Sequence, residues 1–163
     1  MTATEFVFAY GSNMDLAQMR ERCPNSLDLL QPFVARAKGW KLYFPRHSDR
    51  RQGGVGSILS KSDETVWGVV FGLTAEDLAK LDRSEGTSVG AYRRVRIQVA
   101  WGRDLKQEVW TYLAIPQDEP PRHYPPHEDY LAQYIRGAES FKLPAEYIDK
   151  LKRIETRKRS KVG

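Results

Sequence analysis

The chain has 163 residues, a formal charge of +5, 40% hydrophobic residues and 29% charged residues. That length supports one domain with a real core, the composition is that of a globular protein, and no apolar run reaches the length needed to span a bilayer. The single cysteine, Cys23, excludes an internal disulfide framework and a cysteine-based zinc site, while the positive charge suits an anionic partner.

In chain order, Glu5-Phe6-Val7 reads as a strand and runs into Phe8-Ala9-Tyr10-Gly11-Ser12-Asn13-Met14. Asp15 to Arg20 then reads as a helix that ends near Arg22-Cys23-Pro24, because proline cannot continue it. The change of direction falls at Gly11-Ser12-Asn13, residue types that tolerate turn geometry and cap helices. Such a turn leaves backbone N–H groups free to receive a carboxylate or an oxyanion. Cys23, beside Pro24, reads as a small packed thiol rather than a nucleophile.

Residues 27–34 read as a loop leading into a strand, and 33–44 as a strand with a bend at Gly39. Pro45 to Gly54 is expected to be a polar, basic loop, long enough to carry function. Val55–Ser60 reads as a short strand and Lys61–Glu64 as a turn. Thr65 to Leu73 is the strongest strand signal: Trp67, Val69, Phe71 and Leu73 share one face, Val66, Gly68, Val70 and Gly72 the other. Neither face carries charge, so both are expected to be buried.

Thr74 with Asp77 three residues on has the form of a capping box, and the helix that follows is expected to stop at Ser84-Glu85-Gly86. Residues 87–91 read as a short loop. Residues 92–101 alternate, with Val95, Ile97, Val99 and Trp101 facing one way. A hairpin turn over 102–106 leads to a partner strand over 107–115. The proline-rich stretch 116–126 reads as irregular. His127–Arg136 is expected to be a helix ended by Gly137, with Tyr130/Tyr134 and Leu131/Ile135 paired at i,i+4. Pro144 opens a last helix whose face carries Tyr147, Leu151 and Ile154. Grouped strands with few intervening helices predict a single mixed α/β domain, with a mainly antiparallel, barrel-like sheet and peripheral helices. The domain is expected over 1–155, followed by a basic tail over 156–163.

The chemistry-bearing residues are few. There is no Walker loop, no dinucleotide fingerprint and no standard nucleic-acid module, so nucleic acid is not expected as a partner. His47, His123 and His127 fall in or beside loops without a second ligand at metal-binding spacing, so no metal is expected. Ser12 lacks a nucleophile-elbow context. Glu85 stands at a helix C-terminus, where the dipole disfavours the anion and burial raises the carboxyl pKa, conditions that suit a general acid or base. Met1–Glu5 lacks the charged start and long apolar stretch of a secretory signal, and a cytoplasmic location is expected.

Four motifs occur in order: Phe8-Ala9-Tyr10-Gly11-Ser12-Asn13-Met14, then Val66-Trp67-Gly68-Val69-Val70-Phe71, then Leu81-Asp82-Arg83-Ser84-Glu85-Gly86 with Tyr92, then the ending. In the ending these are Pro126-His127-Glu128-Asp129-Tyr130, Gly137-Ala138 and Leu143 to Leu151. Together they resemble the γ-glutamylcyclotransferase family, the ending being similar to its branch that acts on γ-glutamyl amino acids. The resemblance implies a small mixed β-barrel with peripheral helices and cofactor-independent release of 5-oxoproline from a γ-glutamyl small molecule, by a monomer or homodimer. It implies that Glu85 is the acid/base, and that Val7, Phe8, Ala9, Tyr10, Gly11, Ser12, Asn13 and Tyr130 contact substrate. Two readings stand beside it: a cyclotransferase of γ-glutamylamines, and a non-catalytic module binding anions or nucleic acid through the basic loop and tail.

Overall fold

The computed structural model describes residues 4–26 and 31–157. Its strands are β1 (Glu5–Ala9), β2 (Phe33–Ser48), β3 (Gly53–Leu73), β4 (Tyr92–Trp101) and β5 (Leu105–Ala114). They close a barrel in the order β1-β3-β2-β4-β5. The ladders are antiparallel except where the barrel closes, where β1 and β5 run parallel with Val7 opposite Trp110. Four helices accompany the barrel: α1 (Leu16–Arg22), α2 (Ala75–Glu85), α3 (Glu128–Ser140) and α4 (Ala145–Lys152).

The alternation in β3 explains why both of its faces are apolar. Val66 and Val70 point into the barrel, joining Phe8, Ala35, Ala37, Ile97, Val99 and Val109. Val69, Phe71 and Leu73 point outward and pack beneath the helices, against Met19, Leu78, Leu81, Leu143 and Leu151. The strand therefore separates two cores, and a charge on either face would be buried. Gly68 lets β1 cross closely: a Cβ there would sit 2.2 Å from the Ala9 carbonyl oxygen.

Three expectations from the sequence need correction. The basic stretch 45–54 is not a loop; Pro45–Ser48 ends β2, Gly53 and Gly54 begin β3, and only 49–52 turn. Pro45 is accommodated because the ladder shifts register between Tyr43 and Arg46. Residues 61–64 are not a turn; the backbone stays extended through one strand, and the register shift between Lys38 and Trp40 takes up the extra residues beside Gly39 at φ 83°. Gly137 does not end α3, which continues to Ser140. It is a contact point: a Cβ at Gly137 would lie 2.5 Å from Met14 Cβ and 2.6 Å from Met14 C. Smaller differences are a 3-10 turn over Ser12–Met14 before α1, another over Thr87–Val89, and β5 beginning at Leu105. The loop expected at 27–30 and the tail from 158 lie outside the described residues.

Two local arrangements set up the site. Asp15, with its side chain accepting from the Ala17 N–H at 3.2 Å, caps α1 directly after the Ser12–Met14 turn. At the start of α2, Thr74 Oγ1 accepts from the Asp77 N–H at 3.1 Å. The reciprocal half of the capping box is supplied differently: Ser26 Oγ accepts from the Thr74 N–H at 2.9 Å, and fully buried Asp77 accepts from the Ser26 hydroxyl and the Asn25 N–H. The chain after α1 is thereby fastened to the base of α2. Gly86, at φ 71°, ends α2 in the left-handed conformation and leaves Glu85 as its last residue.

Candidate active site

Glu85 and the Ser12–Met14 turn meet, although 72 positions separate Asn13 from Glu85. Asn13 Nδ2 donates to Glu85 Oε1 at 2.7 Å, and Arg22 Nη1 approaches the same oxygen at 3.4 Å. Arg22 also donates to Asn13 Oδ1 at 2.8 Å, and Gln18 Nε2 donates to Asn13 Oδ1 and Ser12 Oγ, each at 3.1 Å. Asn13 is thus oriented by its acceptor oxygen so that its amide N–H₂ faces the carboxylate. Both contacts fall on Oε1; Oε2 receives no hydrogen bond among the described residues. The N–H groups of Ser12 and Asn13, at the start of the 3-10 turn, likewise have no acceptor among them.

The Glu85 side chain is only 13% exposed, and Arg22 14%. Burial pushes the Glu85 carboxyl above the usual carboxylate range. Arg22, the Asn13 hydrogen bond, and the Arg51 and Arg50 guanidiniums oppose that shift in decreasing order, and burial prevails.

Tyrosines wall the inner side. Glu85 lines a small cleft of about 40 Å³ together with residues 7–13, Gly56, Tyr92, Tyr112, Tyr130 and Tyr134. The Tyr130 and Tyr134 hydroxyls pair at 2.9 Å, the Gly56 N–H reaches Tyr130 Oη at 3.4 Å, and the Tyr92 hydroxyl donates to the Gly56 carbonyl at 2.9 Å. Tyr10 donates to the Tyr112 carbonyl, and the Tyr112 hydroxyl donates to Asp82 at 2.6 Å. Burial raises the pKa of Tyr10, Tyr92, Tyr112, Tyr130 and Tyr134, so all five stay neutral phenols near pH 7. Gly11 and Gly56 make room for this wall: a Cβ would lie 2.9 Å from the Tyr134 ring and hydroxyl at Gly11, and 2.2 Å from the hydroxyl at Gly56.

On its outer side Glu85 borders a wider cleft of about 300 Å³ that carries Arg22, Arg46, His47, Arg50 and Arg51. Ser12, Glu85, Tyr92 and Tyr130 line both spaces. The carboxylate stands where a narrow neutral chamber opens into a broad cationic one.

The structure brings every residue singled out in the sequence, from Val7 to Asn13 with Glu85 and Tyr130, onto one cleft. Sequence reasoning did not assign Gly56, Tyr92, Tyr112 or Tyr134 to it, nor Arg22 and Arg51 to the outer cleft. Tyr134 carried a signal, its i,i+4 spacing from Tyr130, which reads equally as helix packing. Among the described residues no group of three or more His, Cys, Asp or Glu is placed to hold a metal ion. Cys23 is buried with its thiol pushed up to about 12, and its Sγ contacts the Asp77 carbonyl at 3.8 Å, away from this cleft. No helix of the described residues is long and apolar enough to cross a membrane.

Known proteins are similar to this chain in sequence and in fold. The AIG2-like family model matches residues 65–151. The γ-glutamylcyclotransferase of Mus musculus is 31% identical over 156 residues, covering 93% of this chain and 79% of that protein. That of Homo sapiens is 32% identical over 152 residues, covering 91% and 77%. A solved γ-glutamyl cyclotransferase structure superposes with a TM-score of 0.85 at 30% identity, covering 95% of this chain and 90% of the other. Taken with a barrel whose turn and helix end converge on one carboxylate, these matches show that the chain belongs to the γ-glutamylcyclotransferase family of enzymes.

Proposed function

We propose that this protein cyclises γ-glutamyl amino acids or short γ-glutamyl peptides, releasing 5-oxoproline and the free amine, with Glu85 as the single acid/base. The observation that carries this reading is the asymmetric Glu85 carboxylate. One oxygen is held by Asn13 and Arg22; the other is unpaired among the described residues, and Glu85 lines the small cleft. The raised pKa moves this base toward neutrality, where proton transfer in both directions is efficient.

The substrate's α-ammonium gives a proton to Glu85, and the freed amine attacks the γ-carbonyl carbon, closing a five-membered ring. The bond from that carbon to the leaving nitrogen then breaks as Glu85 returns a proton to it. The attacking nitrogen goes from three protons to one and the leaving nitrogen from one to three. Glu85 carries the first proton across as the ring closes and the amide breaks. The ring nitrogen's second proton passes by the same carboxylate to the released amine, and Glu85 ends ionised as it began. Because nucleophile and electrophile share one molecule, holding the glutamyl chain folded supplies much of the acceleration. The tyrosine-walled chamber imposes that fold and excludes water. The unpaired Ser12 and Asn13 N–H groups receive a negatively charged substrate oxygen.

The outer cleft supports an amino-acid leaving group over a simple amine. Arg46, Arg50 and Arg51 line it and suit a carboxylate, which an amino acid or dipeptide carries and an alkylamine lacks. Incubating the protein with γ-glutamyl-alanine and γ-glutamyl-propylamine, with 5-oxoproline measured by chromatography, tests this. Release from the first, at least about tenfold faster than from the second, is expected from losing one charge-assisted contact. Equal or reversed rates would assign the amine reading instead.

A further inference from the structure

A second and larger groove, about 620 Å³, opens beside the active-site mouth, and the cyclisation chemistry does not use it. It lies between the 49–52 turn and the first half of α3. The two are held together because the strand start at Gly53 and Gly54 passes close to the 124–127 backbone. The Gly54 N–H donates to the Pro125 carbonyl at 3.0 Å, and a Cβ at Gly54 would lie 1.8 Å from the Tyr124 oxygen. Arg50, Arg51, Arg136 and Arg157 line the groove with His127, and Asp129 is the one acid among its lining residues.

Arg50 and Arg157 have no ion pair among the described residues. Arg136 meets Asp15 at 3.5 Å with 63% of its side chain exposed. Arg51 is fixed at the junction, donating to Gln133 at 2.8 Å and Gln18 at 3.1 Å with its guanidinium 5.0 Å from the Tyr130 ring centroid. Tyr130 lines the small cleft, the outer cleft and this groove alike, and Arg50 and Arg51 line both the outer cleft and the groove, so the three spaces adjoin. A leaving group with one carboxylate is already met by the outer cleft. The groove adjoins the outer cleft where a longer leaving group would reach past it, and its volume is in the range of sites that hold whole small ligands.

We infer that this groove is a subsite for acidic leaving groups, so that γ-glutamyl peptides carrying two or more carboxylates beyond the scissile bond are preferred substrates. The inference rests on the cyclisation reading above and adds the substrate class. The deciding experiment compares kcat/KM for γ-glutamyl-Glu-Glu and γ-glutamyl-Gln-Gln, equal in length and differing in charge. The acidic peptide is expected to be preferred about tenfold at low salt, mainly through KM, from a few exposed ion pairs acting together. The preference shrinks as salt rises from about 0.05 to about 0.5 M. It falls toward unity in R136Q/R157Q and is largely kept in R136K/R157K. A wild-type ratio near one, or a ratio untouched by the double glutamine variant, overturns the inference. Calorimetric binding of the dipeptides Glu-Glu and Gln-Gln reads the groove without turnover. A Glu-Glu preference lost in R136Q/R157Q supports the groove even if no 5-oxoproline forms, and equal binding counts against it even if turnover is fast.

Discussion

At the scale of single residues the site turns on how Glu85 is charged. Its carboxyl is raised by burial and lowered chiefly by Arg22, whose Nη1 lies 3.4 Å from Oε1. As the proposed base, Glu85 must be ionised to take the ammonium proton, so activity is expected to rise with pH through the Glu85 pKa, with the acid limb of kcat/KM above the usual carboxylate range. The same shift has a cost in stability. The folded chain binds this proton more tightly than the unfolded chain, so Glu85 lowers stability as pH rises from the unfolded-chain carboxyl pKa through the raised folded one. Removing the Arg22 cation removes the largest opposing influence. R22Q is therefore expected to move the acid limb further up in pH, measured as the pH profile of kcat/KM on γ-glutamyl-alanine. An unmoved or lowered limb would show that Arg22 does not tune Glu85. Glu85 itself was legible from its place at a helix end and its motif. Arg22 was not, because no periodicity or spacing records a contact made across 63 positions between two helix ends.

At the scale of elements, long strands and close backbone crossings position those residues. The β2–β3 hairpin was misread in two places for one reason: a register shift lets an extended strand carry proline, charge and extra residues that on sequence alone signal a loop or a turn. The strand pattern at 65–73 was legible because a segment buried on both faces has no polar residue to place. Gly137 was misread because a glycine in a helix ordinarily marks its end, whereas here it admits the Met14 backbone against α3. That contact presses α3, with Tyr130 and Tyr134, onto the Ser12–Met14 turn. Alanine at 137 gains about 1 kcal/mol of helix propensity. The same Cβ must displace Met14 atoms at 2.5–2.7 Å, two of them backbone, and overpacking of this kind costs about 1–3 kcal/mol. The clash with backbone puts the cost at the upper end, so G137A is expected to be destabilised by about 2 kcal/mol in denaturant titration, with reduced kcat from a displaced turn. A variant as stable as the wild type would show that α3 does not bear on the turn at this point.

At the scale of the molecule, the closed barrel joins the two halves of the site. β1 delivers the turn at its C-terminal end, and β3 leads directly through Thr74 into α2 and so to Glu85. Because β1 and β3 pair antiparallel, from Glu5–Leu73 to Ala9–Val69, the turn and α2 leave opposite ends of the pair, and α2 brings its last residue, Glu85, back to the turn. The barrel was legible as a class from the grouping of strands, but its closure was not, since the parallel β1–β5 contact has no local signature. The outer cleft and the basic groove were visible only as an excess of arginine around position 50. Their walls come from β2, β3, β4, α1, α2 and α3, and only the folded chain brings those together. In the proposed reaction this convergence makes one carboxylate serve every proton transfer. That role is tested most directly by E85Q, which keeps an oxygen for Asn13 and removes the base. The variant is expected to release 5-oxoproline from γ-glutamyl-alanine with kcat reduced by about 10²–10⁴-fold, with KM close to that of the wild type and the fold intact by circular dichroism. A folded E85Q with kcat within threefold of the wild type would contradict the account.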